Sequence, residues 1–481
     1  MNDFASIDHP SESAIIFYLP PRNRKILGRL EYDPEGGISI RYMDAADIAE
    51  SLASSQAKYP ILLGQMVKGL PFTIIDATVA TTNFGMAGFV DVRISCSRLL
   101  IGVHLRQPTT AAFDEFRVSF TDLNAWFNAK PLQTTHQQLP VPESGHEMSI
   151  IAKHLTPFGF SPIGSEISLF SDQILSATGD DITRSAIQNQ FEICIRVRQP
   201  LNLNESIFEL FRLQALMSVL VGRQVFYTRV RFLLHGLEET ERHRNAVTFL
   251  SKFARDKSGA KPARFDQILL PLPLIKSSLS NLWSSWIDRY DSYRSAAELF
   301  TSTELFGGQL LNFQLLAIMQ ALETFHRNRF GGKYIAESSY ASIESLLKSA
   351  IPSEVQNDLR SALKSRLKFG NEYSLRKRLL SLANDLPGGS SGVIASLIHS
   401  RLKDFLGRAV DTRNYLTHFT SELHSASFHD EELYWATRLL RWFFIAVLLH
   451  DLGLASQELE KTLSRAEDLT FARNQLLKDD S

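Results

Sequence analysis

Apolar and polar positions change their rhythm once along this chain. Between residues 15 and 235 they alternate with a period of two over short runs. Across 26–42, Leu30 and Tyr32 alternate on one run and Ile38, Ile40 and Tyr42 on the next. DPEGG at 33–37 stands between them as a turn, which predicts a β-hairpin. Further strands are expected at 72–79, 89–96, 99–105 and 116–120, the last with Phe116, Val118 and Phe120 on one face. The run 191–197 turns Phe191, Ile193, Ile195 and Val197 inward and Cys194 outward. A helical spacing at 209–221 interrupts the strands before another strand at 224–234. Many short strands with one helix predict an antiparallel, sandwich-like region. Turn-forming residues mark loops at 137–147 and 256–264, the second closing the β-rich part.

Beyond about residue 277 the period becomes that of a helix. Helices are expected at 282–299, at 310–330 with Gly331-Gly332 as the stop, and at 340–349. Others follow at 353–368, with Pro352 suited to the first turn, and at 371–382. The PGGSSG loop at 387–392 leads to a helix from Val393, then one over 404–419 and a last one over 431–452 stopped by Gly453. The fold class expected is therefore α+β and multidomain, a β-rich antiparallel sandwich-like N-terminal region followed by an all-α helical bundle. The domains fall at 1–275 and 276–481.

Composition narrows the classes. The 481 residues exceed one typical core of ~100–200, and 44% hydrophobic content is ordinary for a globular protein. Lys+Arg 51 against Asp+Glu 52 leaves no basic body, so a nucleic acid would be held by a local patch. Cys96 and Cys194 lie far apart with no CxxC, which implies neither a disulfide framework nor a zinc site. MNDFASIDHPSES is too polar for a signal peptide, and the longest apolar run, 442–449, is too short for a span of ~20 residues. A cytoplasmic protein with no membrane partner is expected. PGGSSG lacks the Lys-Ser/Thr ending of a phosphate loop, Asp and Glu show no metal-ligand spacing, and there is no GxSxG.

The candidate chemistry lies in 404–419, DFLGRAVDTRNYLTHF, whose apolar Phe405, Leu406, Ala409, Val410, Leu416 and Phe419 recur at helical spacing. Asn414 and His418 project from one side, one turn apart, and Arg413 lies about 100° round with a stem long enough to swing its guanidinium to the same spot. Such a set suits a phosphodiester anion, and a histidine exchanges protons near neutrality. Arg229 and His235 repeat the Arg…His pattern in a strand-like stretch and are expected to be structural. Lys364, Arg366, Lys368, Arg376, Lys377 and Arg378 form the densest basic cluster, interleaved with Phe369 and Tyr373. Such a patch either holds an RNA backbone and stacks a base or is a solvated face.

DTRNYLTH resembles the HEPN ribonuclease motif, in its ApeA-like branch. The order of a long helix (LLAIMQALETFHRNRF), intervening helices, the RNxxxH helix and a closing helix ending in LGL is similar to an ApeA-like HEPN bundle over 310–454. LLGQMVKGLPFTIIDA and FRVSFTDLNAWF resemble the ApeA N-terminal domain. The resemblance implies a metal-independent, cofactor-free endoribonuclease in which the ribose 2′-OH attacks the adjacent phosphate, leaving 2′,3′-cyclic phosphate and 5′-OH ends. His418 would be the general base or acid, Arg413 would stabilise the phosphorane, and Asn414 would orient the phosphate or the imidazole. Glu323 is expected either to buttress Arg413 or to be a surface acid. His326, Arg327 and Asn328 either reach the same cleft or form a solvated helix end. One motif does not supply both acid and base, so a homodimer through the HEPN domain is implied. So are RNA as substrate, with the tRNA anticodon loop first, and a phage protein trigger at a β-rich sensor in an abortive-infection defence. Two alternatives stay open: a non-catalytic HEPN scaffold that dimerises and binds RNA or protein, and a carbohydrate- or protein-binding β region with Trp126 and Phe127 as its surface.

Overall fold

The computed structural model describes residues 10–20, 24–33, 37–45, 57–84, 89–129, 132–138, 146–155, 157, 159–160, 167–181, 184–251, 261–305, 310–387 and 401–477. The chain divides into two compact units, Met1–Ser280 and Asn281–Ser481.

The alternating half forms antiparallel strands. β1 (Ser11–Leu19), β2 (Arg24–Asp33), β3 (Gly37–Ala45), β4 (Lys58–Met66), β5 (Pro71–Phe84) and β6 (Phe89–Ile101) run in the order β6-β3-β2-β1-β4-β5. β5 then returns to pair with β6, so these six strands close into a barrel-like ring. The expected hairpin is β2–β3, with Leu30 opposite Ile40 and Tyr32 opposite Ile38. Its turn at 34–36 lies outside the described residues. Ile15, Phe17, Leu30, Ile40, Leu62, Phe72, Ile74 and Ile94 are completely buried, each burial contributing about 1.5–3 kcal/mol. Gly64 is required where β4 meets β5, since a Cβ there would lie 2.3 Å from Phe72 Cζ.

From β6 the sheet continues outward through β14 (Val247–Ser251), β13 (Tyr227–Leu234), β7 (Phe113–Phe120), β12 (Arg184–Leu201), β11 (Ile167–Asp181) and β10 (Gly159–Phe160). β8 (Leu132–Gln138) and β9 (His146–Ala152) pair separately. The expected antiparallel β-rich region thus takes the form of a closed ring with an extended flank. Two strands expected at 89–96 and 99–105 are one, β6. The polar Ser97 and Arg98 mark the point where its partner changes from β3 to β14, while β5 pairs along its length. α1 (Leu123–Phe127) packs its Trp126 and Phe127 inward, Trp126 Nε1 donating to Leu270 O at 2.9 Å and Phe127 stacking on Phe191 at 4.2 Å. This pair is core and offers no binding surface. α2 (Leu203–Val221) starts six residues before the expected 209, because Asn202 and Glu205 form a capping box. The remaining helices of this unit are α3 (Glu239–Arg244) and α4 (Leu272–Ile275). The loop centres at 139–145 and 252–260 lie outside the described residues.

The side of β12 expected to point outward at Cys194 is covered there. Cys194 is 0% exposed beside Glu115, Arg117 and Glu192, which are also buried. Glu115 takes Arg117 Nε at 2.7 Å and Arg196 Nη2 at 2.7 Å, Arg117 also reaches Asp172, and Arg231 pairs with Glu192. Burial pushes the Glu115 carboxyl up, but Arg117 and Arg196 outweigh it and hold it below its usual range. Burial pushes the Cys194 thiol up, so it stays protonated.

The second unit is helical: α5 (Leu279–Leu305), α6 (Leu311–Phe330), α7 (Glu337–Ser349), α8 (Asn357–Leu367), α9 (Leu375–Asp385), α10 (Leu402–His418), α11 (Ser421–His424), α12 (Asp430–Asp451), α13 (Ser456–Ser464) and α14 (Glu467–Leu477). Its core is aromatic, with Trp286 stacked on Tyr293, Tyr293 on Phe325 and Phe300 on Phe444. Asp451 at the end of α12 accepts two bonds from Arg329, at 2.8 and 2.9 Å, and ties the end of α6 to the closing helix. α8 begins at Asn357, so Pro352 lies before the helix; its carbonyl accepts from Arg360 Nη2 at 3.2 Å. The PGGSSG loop beyond Leu386-Pro387 and the expected helix from Val393 fall within 388–400, outside the described residues. α13 and α14 extend beyond the expected last helix; they are short, and each buries only a thin stripe (Leu459 and Leu463, Leu469 and Ala472). No helix among the described residues is long and apolar enough to cross a membrane.

Candidate phosphodiester site

α10 is held by one face. Phe405, Leu406, Gly407, Ala409, Val410 and Thr412 are buried. Arg408 grips Glu432 with both Nη atoms (2.9 and 2.6 Å) and lies 4.3 Å over the Phe428 ring, so the start of α12 is fixed against the helix. Thr412 Oγ1 donates to Arg408 O and accepts from Phe428 N, both at 2.8 Å, locking the returning chain to the same turn. The expected stripe is corrected at its end. Leu416 is only half-buried and Phe419 is 69% exposed, because the helix stops at His418.

The opposite side carries the motif. Arg413 and Asn414 are half-buried, and Arg413 Nη1 donates to Asn414 Oδ1 at 3.1 Å. His418, one turn on from Asn414, is exposed, and its ring makes no hydrogen bond among the described residues. Arg413 has no carboxylate partner among them either. The one nearby acid on the helix, Asp411, is occupied by Arg376 Nη2 at 3.2 Å, which also reaches Gly407 O at 3.3 Å. An Arg without a countercharge, an amide whose Nδ2 is free to donate, and an exposed imidazole make an anion-binding group with a proton-exchanging neighbour.

The other expected residues separate. Glu323 is paired with Arg327 Nη2 at 3.2 Å, and Arg327 also bonds Glu372 at 2.6 Å; no bond joins Glu323 to Arg413. His326 is 1% exposed. Its Nδ1 faces Arg378 Nη1 at 3.2 Å, and burial, then Arg378, depresses it to about 4. It is therefore a neutral core histidine, and Asn328 donates to Ser292 O at 3.2 Å. Arg378, expected to hold RNA, is corrected: it is 1% exposed and bonds Gly331 O at 2.6 Å and Tyr373 O at 3.1 Å. Successive residues on a helix point about 100° apart, so Arg376-Lys377-Arg378 divides. Arg376 goes to the motif helix, Lys377 lies over Tyr373 at 5.5 Å, and Arg378 enters the core. Lys364, Arg366, Lys368 and Phe369 are exposed at the end of α8, the three cations without a carboxylate partner among the described residues. Among the described residues no cluster of His, Cys, Asp or Glu is arranged to hold a metal ion.

The structure adds residues the pattern did not single out. Tyr415 meets Phe419 at 5.7 Å, His424 at 5.4 Å and His429 at 5.7 Å, and the two histidines stack at 4.2 Å. His429 Nε2 sits 2.7 Å from His424 O. The only sequence signal for this group was a density of His and aromatic residues between 415 and 429.

Comparison with known proteins agrees with this layout. The model of ApeA N-terminal domain 1 matches residues 14–286, and that of the Apea-like HEPN matches residues 316–458, which include Arg413, Asn414 and His418. No curated protein and no solved structure matches.

Proposed function

This chain belongs to the ApeA family, with an ApeA-like HEPN domain behind ApeA N-terminal domain 1, and on that premise we propose that it is a HEPN endoribonuclease. Membership makes it an anti-phage HEPN protein, from a family whose domains are generally ribonucleases that dimerise and bind RNA. The observation that carries the proposal is Arg413, bonded to Asn414 and without a carboxylate partner among the described residues, with the exposed His418 one turn on from Asn414.

In this reading the ribose 2′-oxygen attacks the adjacent phosphorus and the P–O5′ bond breaks, giving 2′,3′-cyclic phosphate and 5′-OH ends. His418 takes the 2′-OH proton or delivers one to the departing 5′-oxygen, and a second copy of α10 in a homodimer supplies the complementary transfer. Arg413 stabilises the extra phosphorane charge, and Asn414 orients the phosphate through its free Nδ2. Lys364, Arg366 and Lys368 track the backbone. The β-rich domain senses a phage component and releases the nuclease, which cuts cellular RNA, tRNA anticodon loops first, and arrests growth. Cytoplasmic RNA is thus the substrate.

The test is RNA integrity in cells expressing wild type or His418→Ala, with and without phage. We expect wild type to produce fragments with 5′-hydroxyl ends and the folded variant to produce none. Equal phage protection by both, with RNA intact, would leave the non-catalytic scaffold as the function.

A further inference from the structure

α10 ends in a way that costs the chain something and gives its own fold little in return. The residue after His418 adopts φ 53°, ψ 36°, the left-handed conformation that closes many helices, with its N–H on Tyr415 O at 2.6 Å. Glycine is the usual occupant of that position, because a side chain with a Cβ is disfavoured there. Here the occupant is phenylalanine, and its side chain is 69% exposed. The backbone strain and the exposed ring are both unfavourable, and a glycine would end the helix without either. Strained positions of this kind cluster where a ligand is held.

The ring is nevertheless positioned. Tyr415 contacts it edge-to-face at 5.7 Å, 63° between planes, and is itself braced by His424 and by His429. Its neighbours along the chain are polar: Thr417, His418, Thr420, Ser421 and Glu422 are all exposed. A protein-interface anchor sits among apolar neighbours. An exposed aromatic ring whose chain neighbours are polar fits a flat ring with polar edges.

We propose that Phe419, braced by Tyr415, is the stacking site for an unpaired nucleobase beside the scissile phosphate. This rests on the ribonuclease reading and deepens it. The base lies on Phe419 while its phosphate lies on Arg413 and Asn414, and stacking pulls the nucleotide out of a helix so that the 2′-oxygen can swing into line.

The test uses the full chain as wild type, Phe419→Gly, Phe419→Leu and Phe419→Trp. Binding is read with a labelled 2′-O-methyl RNA decamer, which lacks the attacking hydroxyl, and cleavage with the same sequence as RNA. Glycine should weaken binding about 10- to 100-fold, as expected for one lost base stack, while the melting temperature stays level or rises by roughly 0–4 °C. Leucine should fall near glycine and tryptophan near wild type. Equal binding and cutting by wild type and Phe419→Gly would overturn the stacking site and leave the ribonuclease reading intact. Glycine that instead shifts sedimentation from dimer to monomer would assign the ring to a second copy of the chain and also overturn it. RNA neither bound nor cut by wild type would remove both readings.

Discussion

Two Arg…His pairs in this chain look alike in sequence and differ in what surrounds them. On β13, Arg229 Nε lies 4.0 Å from the buried Glu192 and Arg231 pairs with the same carboxylate, and just past the strand's end His235 Nδ1 is 2.9 Å from Asp114, which also takes Arg242. On α10, Arg408 is likewise neutralised by Glu432, but Arg413 has only the neutral Asn414, and His418 has no partner among the described residues. A cation whose countercharge lies within the fold is committed to holding that fold. One left half-buried beside an amide is available to an anion from outside.

The largest effect that tests this contrast is on catalysis. Arg413→Ala, in the RNA-integrity assay proposed for His418→Ala, should lower cleavage by about a thousandfold or more, while His235→Ala stays within about twofold of wild type. Nuclease loss in the β13 variant with a folded chain would reverse the assignment. Stability should show the opposite order. Glu192→Ala leaves Arg229 and Arg231 side by side without their shared carboxylate, in a site where burial and Arg231 already depress Arg229. That should cost roughly 3–5 kcal/mol, seen as lost amide protection in β7, β12 and β13. Arg413→Ala should cost under about 1 kcal/mol.

The sequence showed the architecture well and the saturation of charges poorly. Strand alternation and helical spacing found the hairpin, the motif helix and the closing helix, because period reports which face is buried. It did not report that the polar face of β12 would be covered at Glu192 and Cys194, which look solvent-facing until β7 and β13 bring Arg117 and Arg231 against them. Arg378 failed for a similar reason. Nothing in the RKR run says which of three adjacent cations turns inward to meet Gly331 O and His326. The motif set was legible because it is local, one turn of one helix.

A third pair, His326 with Arg378, separates burial from availability. His326 sits at about 4 in the fold and near 6.5 when unfolded. A lowered folded value means that the neutral form is favoured, so its contribution is complete above pH ~6.5 and is lost as pH falls toward about 4. Each unit of that interval is worth about 1.4 kcal/mol. His326→Gln keeps an acceptor for Arg378 but does not titrate. The stability gap between wild type and this variant, measured by urea unfolding, should therefore narrow or reverse between pH 7.5 and 4.5. A constant gap would mean that His326 titrates normally in the fold.

The smallest effect lies with His235 itself. Its side chain is 56% exposed, whereas Asp114 is 13% exposed and keeps Arg242 when the imidazole is removed. Exposed ion pairs contribute about 0–1 kcal/mol, so His235→Ala should lower the unfolding free energy of the β-rich unit by less than about 1 kcal/mol. Asp114→Ala is the informative contrast, because it removes the carboxylate that pairs with Arg242, whose side chain is only 12% exposed, while Glu115, 3.9 Å from Arg242, is already shared with Arg117 and Arg196. If both substitutions cost the same, His235 rather than Arg242 would be the partner that holds Asp114. The β13 pair would then owe its quiet chemistry to the histidine's bond and not to the saturation of the arginines around it.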